Sequence, residues 1–147
     1  NVEFDGASNY QFWGLLIINT THHTTPLKIV EVLAHEASHS LLFGLTVDEP
    51  LVLNPNDELF VSPLRQDLRP MDGIYHATYV SARMCWAMEA LAASSNLSQT
   101  DRDSALDAAK TDRENYLQGL AVIDAHGDLS KSGQRILDNA RGWMSSR

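Results

Sequence analysis

The 147 residues contain a single cysteine, Cys85, so no disulfide can form within the chain. That usage fits a reducing cytosol. Cys85 lies in Met84-Cys85-Trp86-Ala87-Met88, an apolar stretch with helical character, where a packed thiol is expected rather than a nucleophile. Long apolar runs are missing as well. The longest, residues 12–18, falls far short of the roughly 20 residues a membrane-spanning helix needs. Positive charge is scarce, with 11 Lys and Arg against 19 Asp and Glu, for a net charge of −8. Nonspecific binding to nucleic acid rests on cations that neutralise phosphates, so that class is disfavoured. There is no signal-peptide pattern, internal repeat or low-complexity tract. A start at Asn1 rather than Met admits a fragment, such as the C-terminal part of a longer protein.

What is present suits one globular domain over residues 1–147. Hydrophobic residues make up 44% and charged residues 20%, and this length can enclose a core. Prolines are few and clustered: four of the five, Pro50, Pro55, Pro63 and Pro70, fall within residues 45–71. That stretch reads as an ordered loop with one or two short strands. A loop this long in a compact domain is often functional. Before it, residues 12–18 (Phe-Trp-Gly-Leu-Leu-Ile-Ile) read as a buried strand. Thr25 caps a helix with Pro26 at its first position, predicted over residues 26–43 and stopped by Gly44. A second helix is predicted over residues 73–93. A third follows the Ser98/Asp101 capping pattern to about Asp124, and a last one follows Ser130. The expected fold is mainly α with a small β component, built around one helix that carries the chemistry.

That helix holds His35-Glu36-Ala37-Ser38-His39, an H-E-x-x-H motif. Residues four apart share a helix face, so both imidazoles can reach one metal ion. Glu36 can serve as a base toward metal-bound water or orient a ligand. Apolar residues flank the motif on both sides, with Val32 and Leu33 before it and Leu41 and Leu42 after. The motif's polar side chains are therefore expected to face inward, where they need partners. The bland alternative, two merely hydrogen-bonded histidines, is outweighed by that setting. The motif alone suggests a zincin-like arrangement.

A metal site of this kind takes a third protein ligand. The metzincin spacing would place Gly and His where Leu42 and Leu45 stand, which excludes that class. His76 is the leading candidate, since it sits where the proline-rich loop re-enters a helix. Asp48, Glu58 and Glu89 are the carboxylate alternatives. His22 and His23 read as solvated, and His126 as a helix C-terminal residue.

Beyond the motif, the string Ser62-Pro63-Leu64-Arg65-x-Asp67-x-Arg69-Pro70-x-x-Gly73-x-x-His76-x-x-Tyr79 resembles the H-E-x-x-H domain of bacterial peptide-modifying enzymes. These act in clusters that modify ribosomally made peptides, alone or fused to radical-SAM maturases. The resemblance covers roughly residues 30–79. It departs at Leu64, where Trp is expected, and at Ala77, where Gly is expected. It implies an iron(II), α-ketoglutarate-dependent oxygenase that uses O2 to hydroxylate a side-chain β-carbon of a precursor peptide. It further implies metal ligands at His35, His39 and His76. The usual triad for such chemistry is two His and one carboxylate, so a third His is a departure. The keto acid's distal carboxylate calls for an arginine. Arg65 and Arg69 are the candidates, each weighed against an ion pair with Asp67 or Asp72. A partner protein or upstream domain that binds the leader peptide would complete the system.

Two other functions compete. A zinc peptidase would keep His35, His39 and a third ligand, with Glu36 as general base. A metal-stabilised module that binds a leader peptide or partner enzyme would need no catalysis at all.

Overall fold

A computed structural model describes residues 5–62, 65 and 67–146. Pro63 and Leu64, which belong to the string above, lie outside these residues. The fold is mainly helical with two small antiparallel sheets. Strand β1 (Gly6–Ser8) pairs with β2 (Leu16–Ile18), with Ala7 opposite Ile17. Helix α1 (Pro26–Leu45) follows, then the second sheet of β3 (Leu59–Val61) and β4 (Leu68–Pro70). Three helices complete the chain: α2 (Met71–Ala92), α3 (Gln99–His126) and α4 (Lys131–Ser145). Among the described residues, no helix is long and apolar enough to cross a membrane.

The helix starts follow from local chemistry. Thr25, Ser98 and Ser130 each accept a backbone N–H of the first turn of α1, α3 and α4. Ser98 also donates to Asp101 at 2.7 Å, closing the cap reciprocally. α2 begins right after Pro70 without a side-chain cap. It starts two residues earlier than predicted, which moves His76 from the first turn to the second.

α2 is the scaffold. It packs along α3 and also meets α1, α4 and β4. Its buried residues span both apolar clusters. One joins Leu42, Leu51, Met71, Ile74 and Tyr75 to Ile123 and Leu137. The other joins Cys85 and Met88 to Ala109, Tyr116 and Met144. Cys85 is fully buried, and burial pushes its thiol up to about 11, as a packed thiol requires.

Two expectations need correction. The run at residues 12–18 is not a buried strand. Tyr10–Phe12 form a 3-10 turn, only Leu16–Ile18 are extended, and Phe12 and Trp13 are 63% and 67% exposed. The two-stranded sheet meets α1 on one face only, so Ile17 on the other face and the residues before Leu16 stay largely in solvent. Gly44 does not stop α1, which continues to Leu45. Its missing side chain instead admits Trp13, whose ring a Cβ there would meet at 2.7 Å.

Asp112 on α3 is 4% exposed, and its Oδ2 has no hydrogen-bond partner among the described residues. Burial, then Glu31, push its carboxyl up to about 7. The folded chain therefore binds this proton more tightly than the unfolded chain. Stability is lost as pH rises from about 4 toward 7, by up to roughly 1.4 kcal/mol per pH unit. Asp112→Asn is expected to raise the melting temperature most above pH 7 and progressively less toward pH 4. An equal gain at pH 5 and pH 8 in calorimetry would contradict this account.

Candidate metal centre

The polar stripe of α1 faces α2 and the first sheet. Glu36 is 6% exposed and Ser38 3%. Ser38 is satisfied within its own helix, donating to the Ala34 carbonyl at 2.6 Å. Glu36 is covered by β1. A Cβ built on Gly6 would lie 2.8 Å from Glu36 Oε1 and 2.8 Å from Val32 Cγ1. Only glycine permits this approach of strand to helix. Nothing along the chain marks the contact, because Gly6 lies 30 positions from Glu36 and no local pattern links them.

The three predicted histidine ligands come together. The His35 and His39 rings lie 4.9 Å apart between centroids, and those of His39 and His76 5.7 Å apart. His35 Nδ1 is 3.3 Å from Met84 Sδ, and His76 Nε2 is 3.8 Å from Asp72 Oδ1. All three imidazoles are held below their ordinary pKa. For His35 and His76 the main cause is burial, opposed by the charges of Glu36 and Asp72 respectively. For His39 burial comes first, then the neighbouring His35 and His76, and together they carry it to about 4.

Neutral imidazole is the form that binds metal, so the donor chemistry fits a divalent transition metal. The ring poses are less advanced. His39 and His76 stack at 23° between planes rather than pointing at a common centre. Among the described residues, no three His, Cys, Asp or Glu side chains stand grouped as ligands around one point. These two rings would have to turn about their side-chain bonds to hold an ion.

The alternative third ligands sit elsewhere. Asp48 is an exposed turn residue. Glu58 accepts from Asn54. Glu89 pairs with Arg113 at 3.0 Å, across α2 and α3. His23, expected to be solvated, is instead buried, with Nε2 3.1 Å from the Asp5 carbonyl.

The two arginines separate. Arg65, in the turn between β3 and β4, borders a cavity of about 560 Å³ together with His35, Glu36, Lys28 and Met84. It has no ion-pair partner among the described residues. Lys28 is already paired with Glu31 at 2.7 Å. Arg69 does not border this cavity. Its Nε lies 2.8 Å from Asp67 Oδ2, an ion pair without hydrogen-bond alignment.

No protein-family model and no curated protein matches this chain.

The shift of His39 has a thermodynamic sign. The folded chain keeps the ring neutral where the unfolded chain would protonate it, below pH 6.5. Stability is therefore lost as pH falls from about 6.5 toward 4. In metal-free protein, the His39 ring is expected to titrate near pH 4 by NMR. A transition above pH 6 would show that the ring is not desolvated as described.

Proposed function

We propose that the chain is an iron(II)- and α-ketoglutarate-dependent oxygenase of the bacterial cytoplasm. Its substrate is a ribosomally made precursor peptide, hydroxylated at a side-chain β-carbon. The observation that carries this reading is Arg65. A cation without an ion-pair partner among the described residues faces the same cavity as His35 and Glu36. A peptidase that cuts within a chain has no carboxylate to anchor there, whereas a keto acid has its distal one. The residue string from Ser62 to Tyr79 supports the same reading.

On this reading α1 is a zincin-like metal helix, and His35, His39 and His76 hold the iron. When iron, α-ketoglutarate and O2 are bound, they supply the oxidation: the keto acid becomes succinate and CO2, with one oxygen atom going to succinate and the other to the β-carbon. The protein's own residues position and protect. Arg65 grips the distal carboxylate through its guanidinium fork, a match that lysine lacks. Arg69, tied to Asp67, stiffens the hairpin that presents Arg65. Burial keeps the three imidazoles neutral, the form that ligates. Glu36, behind His35, handles a proton or orients a ligand from its Oε atoms.

One observation favours the runner-up, a zinc peptidase. Glu36 borders the cavity beside a motif histidine, where a base toward metal-bound water would stand.

The decisive measurement combines metal analysis of anaerobically purified protein with a succinate assay in air. Iron and succinate formation are expected. Arg65→Gln should raise KM for the keto acid by roughly tenfold or more, the scale of a charge-assisted pair. Arg69→Gln should raise it by much less. Glu36→Gln should leave measurable hydroxylation. Zinc-dependent peptide cleavage without keto-acid turnover, abolished in Glu36→Gln, would establish the peptidase instead.

A further inference from the structure

The row of imidazoles has two sides. His35 borders the cavity that holds Arg65 and Lys28. His76, at the other end, borders a different cleft of about 470 Å³. Its walls include Tyr10, Phe43, Thr46, Leu51 and Asp72. The two cavities share no lining residue.

The character of the second cleft is set by aromatic and aliphatic carbon. Phe43 follows His39 by one helical turn, so it extends the same stripe of α1. Its ring lies 6.3 Å from His39 and 6.0 Å from His76. Tyr10 meets Phe43 edge-on at 5.7 Å and is 55% exposed, at the mouth of the cleft. Leu51 is 1% exposed and forms the floor. The one Asp, Glu, Lys or Arg in the lining is Asp72, whose side chain is 55% exposed. A cleft of this size suits a small ligand or one side chain with its flanking backbone.

We propose that this second cleft takes the target residue of the substrate, and that the target side chain is apolar or aromatic. The inference rests on the oxygenase reading for what occupies the first cavity. An apolar side chain would lie against Phe43 and Tyr10, over the floor made by Leu51, and remove the exposed carbon of the two rings from water. An acidic side chain would be desolvated with no cation in the lining and with Asp72 nearby, which is unfavourable twice over. A lysine would set its ammonium beside the half-exposed Asp72, an ion pair that water screens to little net gain, and would offer the rings less apolar surface than phenylalanine or leucine. The keto acid, a dianion, is excluded by the same logic and belongs beside Arg65. The imidazole row thus separates a charged chamber, where Arg65 and Lys28 stand among Asp5, Glu31 and Glu36, from an apolar one.

The test uses four blocked amino acids as probes: the N-acetyl amides of phenylalanine, leucine, aspartate and lysine. Their binding to the full chain is followed by saturation-transfer NMR, with α-ketoglutarate titrated in parallel in the presence of iron(II) without oxygen. The phenylalanine and leucine probes are expected to bind, and the aspartate and lysine probes to bind more weakly by roughly tenfold or more. Thr46→Trp, which fills the cleft from its rim, should abolish binding of the phenylalanine probe. Tyr10→Ser, at an exposed position, should weaken it several-fold. Neither should alter α-ketoglutarate binding, which Arg65→Gln should weaken instead. The proposal is overturned if no probe binds, if the aspartate or lysine probe binds as well as phenylalanine, or if Thr46→Trp leaves phenylalanine binding intact. Competition between the phenylalanine probe and α-ketoglutarate would also overturn it. A phenylalanine probe that binds and responds to Thr46→Trp, with no keto-acid binding, would keep the apolar chamber and remove the oxygenase reading. Keto-acid binding with no probe binding would do the reverse.

Discussion

Desolvation of three imidazoles where α1 meets α2 is the constraint on which the rest of the structure depends. Each ring is more stable in water when it can take up a proton. Packing them together removes that option, and for His39 the two neighbouring rings reinforce the effect of burial. The cost is tolerable only because the rings stay neutral, and neutral rings next to each other do not repel. The same packing places Glu36 against β1 and Met84 against His35. A polar stripe that would weaken an ordinary helix contact thus becomes a row of neutral, desolvated imidazoles.

Much of this was legible in the sequence, for identifiable reasons. Capping chemistry is local, so Thr25, Ser98 and Ser130 marked helix starts without any knowledge of the tertiary fold. The H-E-x-x-H spacing is also local, fixed by the helical repeat. Convergence of His76 with the motif is not local, and came from its place at a loop-to-helix junction. The structure brings it beside His39 even though α2 starts earlier than expected.

What the sequence hid was long-range and negative in character. Gly6 and Gly44 matter for side chains they lack, and nothing in their neighbours along the chain says what will fill the gap. The apolar run at residues 12–18 was read as buried because its composition is that of a strand. Composition does not reveal how much of the run a neighbouring helix will cover. The two arginines looked equivalent because both flank the same loop. A two-stranded hairpin separates them, with Arg69 paired across from Phe60 in the ladder and Arg65 carried out into the turn.

The docking of Trp13 has a wider consequence. Its indole sits over Gly44 and donates to the Ser40 carbonyl at 2.8 Å. Ser40 follows His39 directly, and its hydroxyl also accepts the Gly14 N–H at 3.3 Å. The first sheet is therefore fastened to α1 within one helical turn of the motif, while β1 covers Glu36 a turn earlier. The cover over Glu36 and the anchor at Ser40 therefore belong to one short stretch of chain, and any local opening of that stretch would expose both.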